Sequence, residues 1–307
     1  MKLNENGKVE IRNYIEKEIN NVPAGERIKI DNDMLDDLIF FKGKDKQGKD
    51  IKIPIWTGWF LKKIDLSEIS FENVYLGDPG ELSSILNEDT YEKFQEFICR
   101  YNKYNKRTEE IMNDFSGTNI NIDFKKLYDQ ENIVSCNFSH VDLNKQDLSK
   151  VKNLSYCDFS YTNITLGLDK MSNRVIQICD FTGIDLSKEN INITSFDNSW
   201  WVLLLSLNNF HNTGLKINVP FSLKAKDSKN LIDEYERDPN NTSLARKVLS
   251  EGIINEKLSG CYLNGKRIST KEERNQKKRE ISQSYSDYIL ELKKSIEITI
   301  IQSKTIH

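Results

Sequence analysis

The stretch CNFSHVDLNKQDLSKVKNLSYCDFSYTNI, Cys136 to Ile164, puts its large apolar residues at Phe138, Leu143, Leu148, Phe159 and Ile164. Most steps are five residues. A helix returns to one face every ~3.6 residues and a strand every ~2, so neither keeps such a series on one side. A chain that does so must change direction once per five.

Self-similarity at a longer period completes the geometry. NDFSGTNI begins at Asn113, CNFSHVDL at Cys136, CDFSYTNI at Cys157 and CDFTGIDL at Cys179, so the starts are 23, 21 and 22 residues apart. Four fives make one such unit. A chain that turns a right angle every five residues closes a square coil after four. The next coil then stacks on it with strand-like hydrogen bonds, about 4.8 Å above. The central residue of each five points inward. The residue two before it is inward too, near a corner, and must be small.

CDFTG, IDLSK, VDLNK and QDLSK resemble the pentapeptide-repeat family, whose unit is a small residue, Asp or Asn, Leu or Phe, Ser or Thr, then any residue. The resemblance implies a mainly β fold, a right-handed quadrilateral β-helix, here with flanking and inserted α-helices. It covers residues 113–220, with outliers at 64–78 and 251–270. Two departures predict bulges or loops: Asn153 falls on a core position, and residues 165–178 carry no clear repeat.

The flanks divide the rest. Residues 1–62 read as a mixed α/β segment. Val9, Ile11, Tyr14, Ile15 and Ile19 form a helical stripe, Asn32 or Asp31 caps a second helix, and FFKGKDKQGKDIKIPIW suits a hairpin. Residues 63–112 hold a short repeat run (Leu66, Phe71, Leu76) and then helices with Ile85, Phe94, Phe97 and Ile98 on one side. The main repeat is 113–220, a helical insertion occupies 221–250, and final repeat-like strands 251–270 carry Ile253, Leu258, Leu263 and Ile268 five apart. Residues 271–307 read as a C-terminal helix with the stripe Ile281, Tyr285, Tyr288, Leu292 and Ile296. A solenoid end exposes unpaired strand edges and an open core. The helices at 81–112 and 271–297 are the expected caps, with residues 1–62 extending the first.

The predicted core is Phe115, Phe138, Leu143, Leu148, Phe159, Ile164, Phe181, Leu186, Ile191 and Phe196. Cys136, Cys157 and Cys179 share one slot in successive coils, and Cys261 fits that slot in its own five. Cysteine there is a small corner-filling hydrophobe. Zinc wants a tetrahedron of ligands, and a ladder offers a line. Asp114, Asp142, Asp147, Asp158, Asp180 and Asp185 precede core residues, in a slot shared with Asn119, Asn137, Asn163, Asn190 and Asn209. A short side chain that bonds nearby backbone explains both types.

Composition narrows function. The chain is 37% hydrophobic with a net charge of −3, which excludes a generally basic nucleic-acid-binding surface. MKLNENGKVEIRN has no apolar stretch of signal-peptide type, and the run Trp200 to Leu205 is far below the ~20 residues of a membrane helix. A cytoplasmic protein is expected. His140 and His211 are outward with no partner evident from spacing. No catalytic, cofactor or metal set is visible.

Stacked coils offer flat faces suited to a macromolecule. The expectation is therefore a non-enzymatic scaffold or interaction protein with an unidentified protein partner and no direct nucleic-acid or membrane contact. Some pentapeptide-repeat proteins resemble B-form DNA and bind DNA gyrase. That is the alternative, set against 12 Asp+Glu and 9 Lys+Arg between 113 and 220. An enzyme with a site in the non-repeat segments is the third reading. The apolar run of Trp200, Trp201 and Leu203 marks a candidate interface, with a monomer expected and a homodimer the alternative.

Overall fold

The computed structural model describes residues 5–105, 113–168, 174–192, 204, 205, 207–218, 255–263, 265–276, 279 and 283. Its centre is a β-solenoid of about four turns. Short parallel strands stack in columns. β3 (Asn113–Asp114) pairs with β5 (Cys136–Asn137), and β4 (Asn132–Val134), β6 (Asn153–Ser155) and β7 (Val175–Gln177) form a second column. β8 (Asn190–Asn192), β9 (Lys216–Asn218) and β10 (Tyr262–Leu263) form a third. Between strands the ladder continues through single bonds such as Phe138 N–H to the Asp158 carbonyl, 2.7 Å, and Asp158 N–H to the Cys136 carbonyl, 2.9 Å.

The interior is a pile of rings. Phe115, Phe138, Phe159, Phe181 and Phe210 stack with centroids 5.8, 5.4, 6.2 and 5.3 Å apart. Leu143, Leu148, Ile164, Leu186 and Ile191 are buried beside them. Phe196, Trp200, Trp201 and Leu203, like the proposed helices of 222–250 and the stripe Ile281–Ile296, lie outside the described residues. Leu204 and Leu205 are buried.

Asn153 does not enter the core. The step from Leu148 is six residues, so Leu154 is inward and pairs with Ile133 and Ile176. One extra residue moves the polar amide outward and lets the fives resume at Phe159.

The repeat-free stretch is closed by side chains instead. Glu189 accepts the N–H groups of Leu166 (2.7 Å), Gly167 (3.1 Å) and Leu168 (2.6 Å). Arg174 donates to the carbonyls of Leu148, Val151, Leu166 and Gly167 at 2.7–3.4 Å. Backbone groups with no strand partner thereby find one.

The chain before the main repeat is continuous with it. Gly58 N–H donates to the Asp114 carbonyl (3.0 Å) and Val134 N–H to that of Leu76 (2.7 Å), so residues 58–76 stack beneath the first repeat coil. α1 (Glu5–Glu18) and α2 (Asn32–Ile39) lead into the antiparallel hairpin of β1 (Phe40–Lys44) and β2 (Asp50–Pro54). Asp31 is the cap of α2, accepting from Met34 N–H at 3.0 Å. Val9, Ile15 and Ile19 are buried, while Tyr14 faces water.

The caps differ from expectation. Ile15, Ile19, Leu35, Leu38, Phe40 and Trp56 belong to the same apolar cluster as the coils, so residues 5–56 cover the N-terminal end. α4 (Glu88–Asn105), which follows the single turn of α3 (Leu82–Ile85), packs on the hairpin. Phe94 and Phe97 meet Phe41 at 5.2 and 6.2 Å in a separate cluster with Ile51, Ile53 and Tyr75. The reason is the hairpin's second apolar face, which needs its own cover.

At the other end Ile268 keeps the five-residue spacing but not the coil. The chain reverses at Gly265, and β11 (Lys266–Arg267) runs antiparallel to β10. A two-residue charged strand blunts that edge. Among the described residues no helix is long and apolar enough to cross a membrane.

Candidate interaction face

One side of the solenoid is built from five strips: 113–117, 136–140, 157–161, 179–183 and 208–212. Their second residues form a column, Asp114, Asn137, Asp158, Asp180 and Asn209, linked by strand-like bridges from Asn137 onward. Each side chain accepts the N–H two residues ahead, from Ser116 (3.0 Å), Ser139 (3.0 Å), Ser160 (2.8 Å), Thr182 (2.8 Å) and His211 (3.1 Å). The slot is thus a turn-forming one. On the neighbouring side the logic extends between coils. Asn163 accepts Leu143 N–H at 2.8 Å and donates to Asp142 at 2.6 Å, and Asn119 treats Leu66 and Asp65 likewise. The bonds from Asn144 and Asn163 hold the Asp142 carboxyl below its usual range, and Asn119 and Ser67 hold Asp65 at about 2.

Both edges of this front face are corners where the chain takes left-handed φ. One edge is Gly117, His140, Tyr161, Gly183 and Asn212, at +55° to +72°. The other is Ser135, Tyr156 and Ile178, at +53° to +56°. Glycine or Asn suits such corners, whereas a β-branched Ile there is strained. Ile178 and Tyr156 are nevertheless half in water, at 48% and 52% exposure. Tyr161 lies against Gly183, where an added Cβ would stand 2.7 Å from its ring, and His140 stacks on the Tyr161 ring at 4.8 Å. His140 therefore has a partner, which the spacing did not reveal. His211 Nδ1 meets the Glu256 carbonyl at 3.1 Å.

Exposed apolar side chains gather here. Eight large ones are exposed among the described residues, and Tyr156, Tyr161, Ile178 and Leu207 are on or next to these two edges. The five strips and the corner residues Ser135, Tyr156, Ile178 and Leu207 contain three carboxylates and no Lys or Arg, in a chain with 44 of them. Among the described residues, cations stand at the two ends of this face. Arg27 donates to the Gly117 carbonyl, and Lys257 precedes Leu258 in the strip beyond Phe210.

The cysteine ladder lies directly behind. Cys136, Cys157 and Cys179 are buried, and their thiols donate to the Val134, Ser155 and Gln177 carbonyls at 3.2–3.4 Å. Burial pushes the Cys157 and Cys179 thiols up. Buried amides end the column. Asn113 donates to Cys136 Sγ, and Asn208 accepts Cys179 N–H at 2.8 Å. Cys261 stands in another column, its thiol toward the Phe210 carbonyl and Thr213. Its strip stacks on the β8–β9 column, since Tyr262 pairs with Lys216. Among the described residues no three His, Cys, Asp or Glu side chains are placed to hold a metal ion.

A shallow groove of about 450 Å³ adjoins the Gly183 corner, with Asp185, Ser187, Tyr262 and Arg267 on its walls. Asp185 accepts from Ser187 N–H, which with the Ser187 hydroxyl holds its carboxyl below the usual range, and Arg267 pairs with Glu273 at 3.0 Å. Both charges are answered within the chain. No family model, curated protein or solved structure matches this sequence.

Proposed function

We propose that the chain is a pentapeptide-repeat protein with a right-handed quadrilateral β-helix, acting in the cytoplasm as a non-enzymatic interaction protein. Its working surface is the front face, and its partner is a protein. The observation that carries this reading is the gathering of exposed apolar side chains at the two edges of one face. Apolar groups clustered in this way mark contact surfaces, and tyrosine is favoured at them.

The DNA-mimic reading draws on the same cation-free face but fails on magnitude. Five strips rise over about 19 Å at ~4.8 Å per coil. A duplex of that length carries about eleven phosphates at one per ~1.7 Å. The front face offers three carboxylates.

Photo-crosslinking from the living cell tests the assignment. A benzophenone amino acid at Tyr161 is expected to capture one discrete protein, and the same probe at the outward Lys216 none. Equal capture at both positions, or none at Tyr161, removes the front face as the binding surface.

A further inference from the structure

We infer that the occupant of the front face is a short basic segment of the partner protein with apolar side chains interleaved. This rests on the reading of the front face as the binding surface.

Size argues for a segment. The strip from Tyr156 to Tyr161 spans at most roughly 16 Å at ~3.3 Å per residue, and the five strips rise over about 19 Å. The product is about 300 Å², against about 800 Å² per partner in a stable globular interface. A second copy of this chain laid face to face has too little to bury here. Half a dozen extended residues match the width.

Charge argues for a basic one. Asp114, Asp158 and Asp180 stand in one column with no Lys or Arg in the five strips. Each commits one oxygen to its own turn, the second oxygen of Asp180 also accepts from the Asn209 amide at 3.3 Å, and a carboxylate oxygen keeps a further acceptor site. A guanidinium fits there because its planar fork matches a carboxylate. The rims argue for interleaved apolar groups. Tyr156 and Ile178 form an exposed apolar edge beside the carboxylate column. Ile178 also holds its left-handed φ of 55° at a position where Asn would be relaxed. Backbone strain and exposure together are a double cost, which contact with a partner offsets.

The test uses the full chain and three labelled octapeptides, alternating Arg–Leu, Glu–Leu and Ser–Leu, read by fluorescence anisotropy. Arg–Leu is expected to bind about tenfold tighter than Glu–Leu at low salt, and the margin to shrink as salt rises to about 0.3 M. Asp158→Asn with Asp180→Asn should bring the two within about threefold, as Coulomb attraction to the column disappears. Asn already fills this slot at Asn137, so the turns survive. Asp142→Asn with Asp147→Asn, equal in net charge but off the front face, should leave the margin intact. Ile178→Asn should weaken Arg–Leu binding while the melting temperature holds or rises. Equal binding of all three peptides, or a margin that only the Asp142/Asp147 variant removes, overturns the basic occupant. If crosslinking at Tyr161 still captures a protein in that case, the face stands and only its occupant falls.

Discussion

The ring of Phe159 lies 5.4 Å from that of Phe138 and is tilted from it by 27°, one coil above. Two residues on, Tyr161 stacks on His140 at 4.8 Å in the same coil-to-coil relationship, but in water. One strip thus carries an inner and an outer ring column, and their energetics differ.

Phe159→Ala should cost on the order of 3–5 kcal/mol, because it empties a site with no solvent access between two rings. Tyr161→Ala loses only exposed contact and should cost under about 1 kcal/mol. Urea melts of both variants decide the point, and equal costs would contradict the inward–outward assignment.

Arg174 and Glu189 should behave as parts of the backbone ladder. Glu189→Ala strands three N–H groups and is expected to cost about 2 kcal/mol or more. Arg174→Lys should be nearly as damaging as Arg174→Ala, since an ammonium does not reproduce a fork spread over four carbonyls. Full rescue by Lys in chemical denaturation would show that charge alone matters there.

Acid should loosen the junction between residues 58–76 and the first repeat coil. Asp65 is held at about 2 in the folded chain by Asn119 and Ser67, below the ~3.9 of a free Asp. A lowered folded value stabilises at pH above the unfolded value and loses that contribution as pH falls toward 2. Asn119→Ala should therefore flatten the stability-against-pH curve between about pH 4 and 2. An unchanged slope would remove Asn119 as the cause.

Thiol reactivity should split one against four. Cys99 is exposed, and Cys136, Cys157, Cys179 and Cys261 are buried. Burial raises Cys261 to about 11 and pushes Cys157 and Cys179 up as well, and the reactive species is the thiolate. A chromogenic disulfide should titrate one thiol in the native chain and five in denaturant. A bridge between Cys136 and Cys157, or stoichiometric zinc, would overturn the packing role.

The five-residue spacing of Phe138, Leu143 and Leu148 by itself determined that the chain coils, and the Cys136, Cys157 and Cys179 starts determined that coils of about four fives stack. Both follow because inward positions must be apolar and corner positions small, which is a constraint on residue type. The turn-forming role of the Asp and Asn slot was legible for the same reason. Other features were decided only by the tertiary structure, because they depend on which groups meet across tens of residues. Leu154 replaced Asn153 in the core since one residue of slip costs less than a buried amide without partners. Glu189 and Arg174 close a coil 15 residues apart in sequence, and no local pattern marks either. Cys261 shares the slot of the ladder cysteines but not their column, because it belongs to the five after the front strip, whose Lys257 and Ser259 carbonyls accept the Phe210 and Asn212 N–H groups. The front face was equally hidden. Tyr156, Tyr161 and Ile178 are unremarkable in sequence, and only the stacking of corners brings them to two edges of one surface and gives them the left-handed backbone that sets them apart.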